Sequence, residues 1–168
     1  MANRIGIDLG GTKIEAIIID DQFQVIDRKR IPTLRDEGYD AIINRIIDLS
    51  KEMIGIGDID GPIGICTPGT IEATTGLLKN SNTVCLIGKP IQKDMEDALG
   101  IPVLMENDAN CFALAEATIG AAKKYDVVFG VILGTGCGAG IVMNKKIHRG
   151  ANAIAGEWGH HTLYPDGR

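Results

Sequence analysis

Residues 5–20 read IGIDLGGTKIEAIIID, two apolar runs rich in β-branched residues on either side of a glycine pair. Ile5-Gly6-Ile7-Asp8-Leu9 alternates as a half-buried strand does, and a second run over 14–19 leads away from the turn. This pattern predicts a β-hairpin whose tip, Gly10-Gly11-Thr12-Lys13, can take φ > 0 without strain at the glycines. With no Cβ at Gly10 or Gly11, backbone N–H groups can come close to an anion such as a phosphate. Asp8 ends the first strand with a carboxylate where a divalent metal would sit. Thr12 adds a hydroxyl and Lys13 a cation. The same residues also make a plain tight hairpin with no ligand. The pattern is not a P-loop, which needs G-x-x-x-x-G-K-[ST] between a strand and a helix.

The hairpin has an echo. Residues 127–133 read as a strand, Gly134-Thr135-Gly136-Cys137-Gly138 as a glycine-rich turn, and 139–143 as a second strand. Asn144-Lys145-Lys146 is a further turn before a third strand at Ile147. A shift of 124 residues sets Gly10 on Gly134 and Ile17-Ile18-Ile19 on Ile141-Val142-Met143. Internal repetition of this kind predicts two related domains closing on one polyphosphate from opposite sides. The copies differ, because Asp8 aligns with Ile132. Only the first hairpin then offers a carboxylate on the metal side, as expected if one Mg²⁺ is held from that side.

Between the hairpins the chain alternates strand and helix signals. Residues 24–33 read as a third strand. Tyr39, Ile42, Ile43, Ile46, Ile47, Met53 and Ile54 recur at helical spacing until Gly55. A short buried strand over 62–66 breaks at Thr67-Pro68-Gly69-Thr70. Residues 76–88 read as a polar loop centred on Lys79-Asn80-Ser81-Asn82-Thr83. Pro90 opens a helix that carries Ile91, Met95, Ala98 and Leu99 on one face and ends at Gly100. A strand over 101–105 passes through Glu106-Asn107-Asp108 into a helix over 109–119 closed by Gly120. Residues 123–126 read as a linker. The order is that of an α/β layer with a mixed sheet flanked by helices, with domains expected over 1–122 and 123–168.

Composition narrows the function classes. Of 168 residues, 45% are hydrophobic but only 4% aromatic, so Ile, Val, Leu and Ala must fill the core. Glycine accounts for 22 residues, about 13% against a usual ~7%, which points to many tight turns or close approaches of backbone to ligand. The net charge is −5 with no basic run, which argues against nucleic acid. No apolar run is long enough to span a bilayer and the start, MANR, is no signal peptide, so a cytoplasmic location is expected. Cys66, Cys85, Cys111 and Cys137 form no C-x-x-C and read as small buried hydrophobes in a reducing compartment.

Phosphoryl transfer needs a phosphate cradle, a metal and a base for the acceptor hydroxyl. Asp108 is the candidate base, since it stands where a buried strand passes to a helix N-terminus. The competing reading makes Asn107 or Asp108 a plain helix cap. Asn107 and Asn110 add donors and acceptors suited to sugar hydroxyls. In Gly156-Glu157-Trp158-Gly159-His160-His161, Glu157 and His160 face one way if the segment is a helical turn. Either histidine is equally served by a surface position, two adjacent histidines being a weak zinc signal. Trp158 reads as packing.

The four motifs DLGGTK, ENDANC, LGTGCGAG and GEWGHH resemble, in that order, those of the ROK family of sugar kinases and repressors within the actin-like ATPase superfold. The stretches LLKNSNT and GEWGHH look most like the bacterial fructokinase and mannokinase branch, with N-acetylglucosamine kinases near. The resemblance implies an actin-like ATPase (ribonuclease H-like) domain followed by the first strands of a second, duplicated one. It implies phosphorylation of a hexose at its C6 hydroxyl by ATP with Mg²⁺, with Asp108 as general base. Gly69, Asn82, Asn107, Asp108, Glu157 and His160 would hold the sugar. Gly10, Gly11, Thr12, Lys13, Gly134, Thr135 and Gly136 would surround the ATP phosphates, and Asp8 would sit by Mg²⁺. His160 would also be the first ligand of a structural zinc whose other ligands lie beyond the chain end. The whole protein is expected to be a homodimer that binds neither membrane nor nucleic acid.

Two departures bear on these expectations. Relatives often carry Pro or Trp after the sugar-loop Asn, where this chain has Thr83, Val84 and Cys85. The Cys-x-Cys-Gly of the zinc site does not follow before Arg168, so the chain is expected to be the N-terminal part of a longer kinase and inactive alone. The alternative is the sugar-sensing part of a ROK repressor, which carries a helix-turn-helix ahead of the hairpin. Here only four residues precede Ile5.

Overall fold

A computed structural model describes residues 3–134 and 136–159. The chain forms two compact units that meet in sequence between Asp108 and Ala109, where the sequence suggested a division after residue 122.

In the first unit, β1 (Arg4–Leu9), β2 (Lys13–Ile19) and β3 (Val25–Pro32) form an antiparallel meander. Helix α1 (Tyr39–Ile54) follows, then β4 (Ile63–Thr67) and a two-stranded ribbon, β5 (Thr70–Ile71) with β6 (Leu78–Lys79). Helix α2 (Ile91–Leu99) leads to β7 (Val103–Asn107). The strands form one five-stranded sheet in the order β3-β2-β1-β4-β7. β1, β4 and β7 run parallel, and β2 and β3 extend the sheet antiparallel.

Period-two alternation sends Ile5, Ile7 and Leu9 of β1, Ile14, Ala16 and Ile18 of β2, and Ile63 and Ile65 of β4 into the core. The stripe of α1 meets them with Ile42, Ile46, Leu49 and Met53, and α2 adds Ile91 and Met95. Each Ile, Leu or Met among them contributes about 1.5–3 kcal/mol by leaving water. No aromatic residue is among the buried ones described, so branched aliphatics fill this core as the composition demands. The helices end on glycines: Gly55 closes α1, and Gly100 caps α2 at φ 67°.

Residues 76–88 are less loop-like than their polarity suggests. Leu78 and Leu86 are fully buried, and Ser81 and Thr83 are nearly so. Single apolar residues between polar ones leave no periodic signal, yet each anchors this segment to the core.

In the second unit, α3 (Asp108–Thr118) is followed by β8 (Val127–Leu133), β9 (Cys137–Met143) and β10 (Lys146–Ile147). The strands form an antiparallel sheet in the order β10-β9-β8. Asn144 and Lys145 both take positive φ, the backbone of a tight hairpin turn matched to strand twist. Buried Ala113 and Ala117 of α3 pack with Val128 and Val142 of the strands. Adding 124 to Leu9, Lys13 and Ile19 gives Leu133, Cys137 and Met143, so the two hairpins end and begin at corresponding residues.

The register of the copies differs. Leu9 faces Ile14 across the first turn, whereas Leu133 faces Cys137 across the second. Their buried faces also have opposite parity: Ile5, Ile7 and Leu9 are buried, but their counterparts Phe129, Val131 and Leu133 are exposed. Among the described residues no helix is long and apolar enough to cross a membrane.

Candidate active site

Because β1, β4 and β7 are parallel, their C-terminal ends share one edge of the sheet, the edge at which open α/β sheets hold ligands. Asp8 lies in register beside Cys66, Cys66 beside Glu106, and Thr67 beside Asn107. At that edge the chain leaves β1 into the glycine hairpin, β4 into Pro68-Gly69, and β7 directly into Asp108. Asp8, Gly69, Asn107 and Asp108, far apart in sequence, are thus gathered by topology.

The carboxyl of Asp8 reaches solvent but is crowded by protein on one side. That desolvation raises its pKa above the usual 3.8. Cys66, whose thiol donates to Oδ1 of Asp8 at 3.5 Å, opposes the rise, while the charges of Asp108 and Glu15 add to it and Lys13 offsets it. Asp8 and Asp108 therefore lie close enough to act on each other.

The hairpin tip corrects one expectation. Neither Gly10 nor Gly11 adopts positive φ. Space at position 10 is tight, since a Cβ there would lie 3.0 Å from the carbonyl oxygen of Lys13. The N–H of Gly10 donates to that same oxygen at 3.0 Å. Thr12 and Lys13 are exposed at the tip.

Gly69 is constrained more severely. Its φ is +94°, and a Cβ would stand 2.4 Å from the carbonyl oxygen of Lys79 across the β5–β6 ribbon. Its own carbonyl accepts a hydrogen bond from Nδ2 of Asn107 at 3.1 Å. Asp108 is half-buried at the first position of α3. Asn82 is exposed between buried Ser81 and Thr83, and Oγ of Ser81 accepts the N–H of Thr83 at 3.1 Å. A cavity of about 290 Å³ opens beside Asn82, lined also by Arg35, Asp36, Thr83, Val84 and Cys85. The sequence reading passed over Arg35, an isolated charge outside any motif.

In the second unit, the glycines of β8, β9 and the turn between them separate into two kinds. A Cβ on Gly134 or Gly136 would meet nothing within 4 Å. A Cβ on Gly140 would lie 2.7 Å from the carbonyl oxygen of Ala109, and one on Gly130 2.8 Å from Cβ of Ala113. The inner glycines let α3 approach the strands, so part of the glycine excess serves packing and not turns or ligands. Thr135 and His160 lie outside the described residues. Glu157 is exposed and residues 157–159 are not helical, and its pairing with His160 lies outside the described residues. Gly156, at φ +95°, bends this segment against Ala139 of β9, whose carbonyl oxygen would stand 2.8 Å from an added Cβ. Trp158, read from the sequence as packing, is 42% exposed. Among the described residues, no group of three or more His, Cys, Asp or Glu side chains converges as metal ligands.

Comparison with known proteins matches residues 4–168 to the model of the ROK family. The chain is 42% identical over 161 residues to an N-acetyl-D-glucosamine kinase of Citrobacter koseri, covering 96% of this chain and 53% of that protein. The ROK hexokinase of Thermus thermophilus superposes with a TM-score of 0.85 at 33% identity, covering 99% of this chain and 55% of that one. A ROK family glucokinase of Streptomyces griseus, solved with glucose and AMPPNP, gives 0.87 at 30% identity, covering 99% and 52%. The chain spans about half the length of the relatives it matches. The sequence reading put the fructokinase branch first and N-acetylglucosamine kinases beside it; the curated relative named here is of the second kind. With its mixed sheet and flanking helices in the actin-like ATPase arrangement, the chain belongs to the ROK family.

Proposed function

We propose that the protein carrying this chain is an ATP-dependent hexose kinase that phosphorylates a sugar of the N-acetylglucosamine or glucose type at its C6 hydroxyl. The observation that carries this reading is the gathering of Asp8, Gly69, Asn107 and Asp108 at one edge of the sheet beside the glycine hairpin. The names of the similar proteins support the choice of sugar.

In this reading the carboxylate of Asp108 takes the proton of the sugar hydroxyl as its oxygen forms a bond to the γ-phosphorus, and the bond to the β,γ-bridging oxygen breaks to release ADP. Asn107 holds a neighbouring sugar hydroxyl while its amide fixes the Gly69 turn. Asn82 presents its amide to the sugar from a loop pinned by Ser81 and Thr83. Gly10, Gly11, Thr12 and Lys13 receive the terminal phosphates. Asp8 would hold the Mg²⁺, which would supply positive charge to offset that of the terminal phosphates.

Glu157 and His160 as sugar ligands, and Gly134, Thr135 and Gly136 as phosphate ligands, rest on the family resemblance, as does a homodimer; a cytoplasmic location is the expectation drawn from the sequence. A structural zinc with His160 as its first ligand likewise rests on the resemblance, and no donor set lies among the described residues.

The test is ADP release by the full-length protein with N-acetylglucosamine, glucose, mannose and fructose. N-acetylglucosamine or glucose is expected to give the highest kcat/KM. Asp108→Asn is expected to lower kcat by about 10²–10⁴-fold while the protein stays folded. Turnover of none of the four sugars, or near-normal kcat in Asp108→Asn, would overturn the reading.

A further inference from the structure

Strand β3 ends at Pro32, and the next residue, Thr33, has no solvent exposure although its side chain is polar. Both of its donors go to the turn between β1 and β2. Its backbone N–H donates to the carbonyl oxygen of Thr12 at 3.0 Å. Its hydroxyl donates to the carbonyl oxygen of Gly10 at 2.7 Å. In a trans peptide the carbonyl oxygen and the following N–H point in opposite directions. Holding the Gly10 oxygen toward Thr33 therefore turns the N–H of Gly11 away from it. Among the described residues the N–H groups of Gly11 and Thr12 find no backbone acceptor. Lys13 places its own carbonyl on the N–H of Gly10. Three carbonyls of the turn are thus tied down, while two of its N–H groups are left to a ligand.

We propose that Thr33 is the positioning residue of the phosphate hairpin: its hydroxyl and N–H tie down the Gly10 and Thr12 carbonyls so that the turn presents its N–H groups to the terminal phosphates of a nucleoside triphosphate. This rests on the kinase reading above. Thr33 touches neither sugar nor phosphate itself. A preformed array of donors binds an anion more tightly than one that must be ordered on binding. The cis-acting part is the hydroxyl, because the N–H of residue 33 survives any substitution except proline.

The test compares Thr33→Val, which keeps the shape and removes the hydroxyl, with Thr33→Ser, which keeps the hydroxyl, both in the full-length protein. Thr33→Val is expected to raise the KM for ATP roughly five- to tenfold, the worth of one net hydrogen bond, with the KM for sugar within about twofold of wild type. Thr33→Ser is expected to stay within about twofold for both substrates. Hydrogen exchange on the wild-type protein adds a readout that needs no variant. The amides of Gly11 and Thr12 should exchange quickly without nucleotide and slow by about tenfold or more with Mg·ATP, while the amide of Thr33 is slow in both. An unchanged ATP KM in Thr33→Val, an equal rise in both KM values, or Gly11 and Thr12 amides that ATP leaves unprotected would each overturn the inference. Wild-type protein that phosphorylates no sugar would instead overturn the kinase reading beneath it.

Discussion

The side-chain amide of Asn107 donates to the carbonyl oxygen of Gly69 at 3.1 Å, tying the end of β7 to the turn that follows β4. The turn itself can hold nothing larger than glycine, with φ +94° and the Lys79 carbonyl 2.4 Å from where a Cβ would be. Gly69→Ala combines left-handed strain, of order 1–3 kcal/mol, with a backbone clash. It should lower the thermal midpoint clearly and raise the KM for sugar. Asn107→Leu, which loses the bond to Gly69 without the clash, should cost about 1 kcal/mol of stability and raise the sugar KM far more than the ATP KM. Equal stability of Gly69→Ala and wild type would mean that the turn relaxes freely and does not shape the site.

The glycines of the second hairpin make a sharper contrast. Gly140→Ala puts a Cβ 2.7 Å from the Ala109 carbonyl oxygen on α3, a helix backbone that cannot step aside. A destabilisation of about 1–3 kcal/mol is expected from overpacking. Gly134→Ala meets nothing within 4 Å and its φ is not left-handed, so its stability should stay within about 0.5 kcal/mol of wild type. If Gly134 lies against phosphate, the same change raises the ATP KM. Thermal melts and substrate titrations of the two variants should therefore separate a packing glycine from a binding one.

Much of this fold was readable because its signals are local and periodic. The alternation of Ile5, Ile7 and Leu9, the helical recurrence of Ile42, Ile46 and Met53, and the stops at Gly55 and Gly100 each name an element and its face. The candidate residues Asp8, Asn107 and Asp108 drew notice because they stand at strand ends, and parallel pairing brings those ends together. What stayed hidden depends on partners distant in sequence. Nothing near Gly140 in the chain says that Ala109 is its neighbour. A glycine pair at a turn suggests positive φ, but Gly10 does not take it and instead sits close against the Lys13 carbonyl. Thr33 reads as the last residue of a strand, and only the folded turn shows where its hydroxyl goes. The opposite parity of β1 and β8 was hidden for the same reason, since apolar residues occupy both faces of β8 and only packing selects Val128 over Phe129.

A pH effect is expected from the bond between α1 and α2. The hydroxyl of Tyr39 donates to Oδ2 of Asp94 at 2.5 Å, and burial together with that carboxylate raises the tyrosine's pKa above 10.0. A phenol with a raised folded pKa keeps its proton where the unfolded chain has lost it, so the folded state binds more protons above pH 10 and stability falls as pH rises there. The contribution is fully present at neutral pH. Tyr39→Phe should lower stability by about 1 kcal/mol at pH 7, and the gap to wild type should narrow as pH climbs past 10. Melting curves of both proteins at the two pH values provide the check; a gap independent of pH would leave packing, not the hydrogen bond, as its source.

Asp8 should behave in the opposite way to a stabilising carboxylate. Its pKa is raised chiefly by desolvation, with Asp108 and Glu15 adding to the rise, so ionising it is less favourable in the folded protein than in the unfolded chain. Between pH 3.8 and the raised folded value the native state binds more protons, and stability falls as pH rises through that window. At pH 7, without nucleotide or metal, Asp8→Asn should therefore be at least as stable as wild type, and the difference should shrink as the pH is lowered toward 3.8. The same variant should lose the stabilisation that Mg·ATP gives the wild-type protein, because a ligand stabilises only the state that binds it. Function and stability are then opposed at one side chain, as expected of a carboxylate kept for a cation and not for the fold. Thermal midpoints of the two proteins, with and without Mg·ATP at pH 7, decide the matter. A ligand-free Asp8→Asn that melts well below wild type would show that the carboxylate holds structure, and an undiminished shift with Mg·ATP would remove it from the metal site.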